Sequence, residues 1–197
     1  MLKFGVRRKG DLRMCEMIKK ANSLTPEKTL EEYWDKKIPV NVKNILAGVG
    51  IRFRKNDFSE LERALEIDKD DAILGLAFSD GDDLGILFSS QIDRDSANYV
   101  LAHEFAHCCL HLAPHEQFHV EMKMSSDLYS DSHNKTIRER HNNSHKELQA
   151  DKFAANLLIP TKPLIDYLSK NKEQRIEDVA RHFHVPKEIV RLKIMSL

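Results

Sequence analysis

Two short runs, forty residues apart, constrain this chain more than any other feature: His103-Glu104-Phe105-Ala106-His107 and Glu147-Leu148-Gln149-Ala150-Asp151. The first is His-Glu-x-x-His. On a helix, residues four apart sit one above the other on one face, so the two imidazoles can converge on a single ion. The second run is Glu-x-x-x-Asp inside an apolar-faced pattern that reads as another helix. A fold that uses both must pack these two helices side by side.

Zinc in a hydrolase takes three protein ligands and keeps one position open for water. His103 and His107 supply two of the three. Glu104 lies about a third of a turn away, so its carboxylate stands beside the metal position rather than on it. A general base belongs there, taking a proton from water and delivering it to a leaving amine. His111 continues the i+4 series, but three side chains over eight residues span about 12 Å of helix, against zinc–nitrogen distances of about 2.1 Å. It therefore does not join the other two. The metzincin pattern needs Gly at 110 and His at 113, where this chain has Leu110 and Ala113, and the inverted His-x-x-Glu-His pattern is absent. Glu147 is the expected third ligand. Asp151, one turn on, is placed to accept a hydrogen bond from the far nitrogen of a bound histidine, His103, which would fix its tautomer. Cys108 and Cys109 are out of phase with the two histidines and read as small buried thiols. Zinc is the one cofactor expected.

Around these motifs the pattern implies an α+β fold, a small mostly antiparallel sheet packed with helices. Thr25-Pro26-Glu27 opens a helix. Residues 40–47 form a second, stopped at Gly48, and Ile51–Arg54 alternates as a strand. Ser59–Glu62 has capping-box form and opens a helix toward Ile67. Ala72–Phe78 and Leu84–Phe88 are strands of a hairpin joined through an Asp-Gly turn. Ser96–Leu110 is a buried helix bearing the first motif. Residues 113–146 are polar and irregular, with part of 116–124 expected to be helical. They hold five of the ten histidines: 115, 119, 133, 141 and 145. The second motif lies on a helix from His145 to Ile159, ended by Pro160. The expected organisation is a basic, solvated arm over 1–24, a catalytic domain over 25–170, and a helix pair over 171–197. The arm has seven Lys and Arg against Asp11 and Glu16.

Lys plus Arg and Asp plus Glu number 31 each, so the formal net charge is zero. That removes any global attraction to nucleic acid or anionic membrane. No apolar run reaches the roughly 18 residues of a membrane span. The start of the chain lacks a signal-peptide core. Three cysteines, two adjacent, make no disulfide framework. These features point to the reducing cytoplasm. Lys187, Arg191 and Lys193 lend the terminal helix pair some positive charge, but Ile176, Val179, Phe183, Ile189 and Val190 read as a packing face, not a DNA-binding one.

The segment Val100-Leu101-Ala102-His103-Glu104-Phe105-Ala106-His107, with the later run from Glu147 through Asp151, Phe153, Ala154, Leu157 and Leu158 to Pro160, resembles the ImmA/IrrE family of zinc metallopeptidases. The likeness extends over residues 25–195. It implies a gluzincin-like core in which His103, His107 and Glu147 hold zinc and Glu104 is the base. It also implies an intracellular endopeptidase that cuts a helix-turn-helix repressor in a phage, mobile element or stress response. The alternative is a metal-binding regulator that docks a transcription factor without cutting it. The intact Glu104 argues against that alternative. Tyr129, His141 and His145 are the candidates for stabilising an oxyanion.

Overall fold

A computed structural model describes residues 9–80, 83–112, 118–125, 143–171 and 175–197, with backbone alone for 9–15, 80, 83, 118–122, 124, 143 and 144. In chain order these residues form α1 (Lys9–Asn22), α2 (Pro26–Tyr33), α3 (Val42–Val49), β1 (Arg52–Asn56), α4 (Ser59–Ala64), β2 (Ile73–Asp80), β3 (Asp83–Ser89), α5 (Arg94–Leu110), β4 (Phe118–Met124), α6 (Asn143–Leu158), α7 (Thr161–Lys170), α8 (Ile176–Phe183) and α9 (Lys187–Met195). The strands make one mixed sheet in the order β1-β3-β2-β4. β1 runs parallel to β3, whereas β2 pairs antiparallel with both β3 and β4. The fold is α+β, as expected.

α5 is the axis of the molecule. It packs against β2, β3 and β4 on one side and α6 on the other, with α1 and α3 covering more of it. Every residue from Tyr99 to Cys109 is buried as a result. A helix covered all round needs no polar stripe, which explains why Val100, Leu101, Ala102, Phe105, Ala106 and Cys108 surround the ionisable side chains. Asp93 starts the helix, its Oδ1 accepting from the Asp95 and Ser96 amides at 2.9 and 3.0 Å. From β3, Leu84, Ile86 and Phe88 join the same core. A smaller cluster of Phe58, Ile73 and Leu76 lies apart from it.

Local signals hold at several boundaries. Thr25 caps α2, its Oγ1 accepting from the Lys28 amide at 3.3 Å. α3 ends two residues later than expected, at Gly50, whose φ of 98° suits a residue without a Cβ. The capping box at Ser59 does not form. Ser59 is the first helical residue, and Glu62 instead accepts from the Ile73 amide at 2.8 Å, tying α4 to β2. The turn of the β2–β3 hairpin lies outside the described residues.

Two expectations need correction. Residues 9–22 of the supposed arm form α1, with Ile18 and Ala21 fully buried and Leu24 nearly so. Their spacing of three makes a narrow apolar stripe, which the surrounding lysines and arginines obscure in the sequence. Within 113–146, residues 118–124 form the edge strand β4 rather than a helix. Phe118, Val120, Met122 and Met124 alternate with His119, Glu121 and Lys123, a period of two that suits pairing with β2. Residues 126–142 lie outside the described set.

The terminal helix pair packs into the main core through Val179, Phe183, Ile189 and Val190. Lys193 is buried too, its Nζ donating to Asn156 Oδ1 at 2.7 Å and Thr161 Oγ1 at 2.9 Å. This lysine is thus turned inward, away from any DNA-facing surface. Phe183→Ala is expected to lower stability by about 3–5 kcal/mol in urea unfolding. A loss under about 1 kcal/mol would mean that the pair is not part of the cooperative unit.

Candidate metal centre

α5 and α6 face each other with both motifs on the shared surface. His103 Nε2 and His107 Nε2 lie 3.0 Å apart. Glu147 Oε2 is 3.1 Å from the first and Oε1 is 3.2 Å from the second. Four-coordinate ligands at about 2.1 Å from a zinc ion sit roughly 3.4 Å from one another, so the triangle is close to that expected around one ion. Among the described residues, His103, His107 and Glu147 form the one group of three or more His, Cys, Asp or Glu able to hold a metal. Two imidazole nitrogens and a carboxylate oxygen are a donor set suited to zinc.

Asp151 lies one turn beyond Glu147, where its Oδ1 accepts from His103 Nδ1–H at 2.7 Å. Two residues that sequence reasoning passed over converge on the same oxygen. Tyr99 donates its hydroxyl to it at 2.5 Å and Lys123 its ammonium at 3.4 Å. Lys123 also donates to Glu147 Oε2 at 3.5 Å and is only 1 % exposed. Tyr99 sits four residues before His103, so the i+4 rule could have found it. Lys123 required recognising β4 as a strand at all.

The electrostatics follow from burial. Burial alone would raise the Asp151 pKa, but hydrogen bonds from His103 and Tyr99 and the charges of His103 and Lys123 bring it down to about 2. Glu147 is likewise penalised by burial, yet its bonds to both histidines and the Lys123 charge hold it well below the usual carboxylate range. Burial and Lys123 both oppose protonation of His103; its contacts with Asp151 and Glu147 outweigh them and raise it. Burial lowers His107. Protonation of His103 at Nε2 competes with metal binding there, so metal affinity should weaken as the pH is lowered.

Glu104 is different. It is fully buried, and neither carboxylate oxygen has a well-formed hydrogen bond among the described residues, the Ala77 backbone N–H on β2 easing its charge only weakly. Burial, aided by Glu147 and opposed by His103 and Lys123, pushes its pKa up to about 8. An orphaned carboxylate costs free energy, and this one lies close enough to His103 and Glu147 to feel both charges. Space for it comes from Gly75 on β2. A Cβ at 75 would lie 2.5 Å from Val100 Cγ1 and 2.7 Å from Glu104 Oε1.

Other candidates separate cleanly. Cys108 and Cys109 are buried thiols whose pKa values are raised by burial. His145 is exposed at the start of α6, and Tyr129 and His141 lie outside the described residues. His182 stacks on Tyr167 and His184 meets Asp95 at 3.0 Å, both away from the cluster. A groove of about 630 Å³ lined by Ile38, Lys43, Lys55 and Arg94 sits at the opposite end of α5, and no member of the cluster lines it.

In metal-free protein, ionising Glu104 opposes folding. Its pKa is raised from the ordinary 4.5 to about 8, so its penalty is absent below 4.5 and grows as the pH rises through 8. Glu104→Gln cannot ionise. Metal-free Glu104→Gln is therefore expected to gain stability over the parent between pH 5 and 8, by up to about 5 kcal/mol. Urea unfolding in chelator at several pH values measures this. A constant difference across that range would show that Glu104 does not carry a raised pKa.

No curated protein matches the chain. Residues 85–195, however, match the family model described as the IrrE N-terminal-like domain, Peptidase M78. The match spans more than half of the chain and takes in both motifs and both partner helices. On that evidence the chain belongs to the ImmA/IrrE family of metallopeptidases.

Proposed function

We propose that this chain is a zinc-dependent endopeptidase of gluzincin type, acting in the cytoplasm on a helix-turn-helix repressor and so releasing transcription. The observation that carries the reading is the triangle of His103, His107 and Glu147 beside the partnerless Glu104 carboxylate. His103, His107 and Glu147 hold the ion. When bound, zinc supplies Lewis acidity toward a water and toward the scissile carbonyl. Glu104 takes the proton of the attacking water and returns it to the leaving amine. Asp151 keeps the proton of His103 on Nδ1, leaving Nε2 free to ligate. Lys123 and Tyr99 hold Asp151 in place.

Three carboxylates, Glu104, Glu147 and Asp151, share this site with one ammonium, Lys123. A dication would bring their formal sum to zero, consistent with a site built around Zn²⁺. A protein substrate also fits the architecture. β4 ends the sheet order and reaches the cluster through Lys123, so a strand edge for pairing with an extended peptide lies on the element that carries this lysine. The repressor identity rests on the family alone. No helix among the described residues is long and apolar enough to cross a membrane.

Zinc-loaded protein incubated with the repressor encoded beside it should yield two fragments by mass spectrometry. Glu104→Gln should keep about one zinc per chain and lose at least 10²-fold in cleavage rate. Glu147→Ala should lose the metal. Repressor that binds the zinc-loaded parent yet stays intact would reject the peptidase reading in favour of docking without cleavage. Equal zinc in the parent and in Glu147→Ala would remove Glu147 from the ligand set.

A further inference from the structure

The two histidines of the cluster are supported differently. His103 has a carboxylate behind it. Behind His107 stands a third imidazole, His111, at the C-terminal cap of α5. Its Nδ1 lies 2.9 Å from His107 Nδ1, and its Nε2 lies 3.1 Å from Gln149 Oε1 on α6.

The proton positions along this line follow one from another. For His107 Nε2 to offer its lone pair to an ion, the ring proton must sit on Nδ1. That N–H then donates to His111 Nδ1, which must carry a lone pair. His111 keeps its own proton on Nε2, and this donates to the Gln149 amide oxygen, which accepts only. We propose that His111 is the positioning residue of His107: a neutral imidazole acceptor, locked to α6 by Gln149, that fixes the Nδ1–H tautomer and the plane of the ligating ring. The inference rests on His107 being a ligand, as in the reading above. His111 sits behind His107, not beside the ion, so it contributes without ligating. It also makes the pair of histidines unequal, because His103 is backed by an anion and His107 by a neutral ring.

The test uses the full zinc-loaded chain labelled with ¹⁵N. Long-range ¹H–¹⁵N spectra report the tautomer of each ring. The expected result is His107 protonated on Nδ1 and His111 neutral and protonated on Nε2. His111 found as the Nδ1–H tautomer, or as imidazolium, overturns the proposal and needs no variant. Zinc affinity from chelator competition gives the second arm. His111→Phe should weaken binding about 10- to 100-fold. His111→Asn should recover most of that, because Asn Oδ1 is as many bonds from Cα as His Nδ1 and can accept the same hydrogen bond. Unchanged affinity in His111→Phe, or no recovery in His111→Asn, also overturns the role. Glu147→Ala serves as the control. If it leaves zinc binding unaltered, the metal-site reading itself has failed; if it abolishes binding while His111→Phe does nothing, only the present inference falls.

Discussion

The molecule is organised around ionisable side chains placed where there is almost no water. His103, Glu104 and His107 are each fully buried on α5, a helix enclosed by a sheet and three other helices. Removing such groups from water is expensive unless each finds a partner. Glu147 and Asp151 from α6 supply partners for the histidines, and Lys123 from β4 and Tyr99 from α5 in turn supply partners for those carboxylates. None supplies one for Glu104. The packing of α6 and β4 against α5 is therefore fixed by polar matching as much as by the apolar contacts around it.

Legibility in the sequence followed periodicity. His103 with His107, and Glu147 with Asp151, are each four apart on a helix, so a spacing rule is enough to put each pair on one face. The meeting of the two helices is a tertiary fact, but the need for a third ligand anticipates it. Asp151 contacting His103 followed from the same logic. β4 is hard to see because seven residues with apolar character at every second position sit inside an irregular, histidine-rich stretch, which hides Lys123 with them. α1 was obscured by charge, since a stripe as narrow as Ile18, Ala21 and Leu24 is easily outvoted by its basic neighbours. The role of Gly75 has no sequence signal at all. It depends on how closely β2 approaches α5, and only the assembled packing sets that distance.

The family match accounts for α5, α6 and the terminal pair as one block, and the packing gives a physical reason. Phe183 and Val190 are fully buried in the core that also contains Phe105 and Leu157. Lys193 reaches the Asn156 side chain, nine residues beyond Glu147 on the same helix. The terminal pair thus braces the outer face of α6 while the inner face carries Glu147 and Asp151. A helix presenting Glu147 and Asp151 to a buried site has to be held in rotation as well as in position, since a turn of about 100° would carry them off the histidines.

Glu104 shows how one constraint serves chemistry. A carboxyl held near 8 by burial is mostly protonated at neutral pH and is then no base. Opposite charge within a few ångströms favours the ionised form; His103 and Lys123 already pull Glu104 that way, and a cation held by the proposed His103–His107–Glu147 group would add to them. The burial that would silence Glu104 in isolation makes its ionisation conditional on a filled site. A more exposed glutamate would ionise regardless of the metal and would be solvated by bulk water. The fit between Gly75 and the Glu104 side chain keeps it enclosed beside the three candidate ligands, so that in the proposed reading ligand set and base act as one unit.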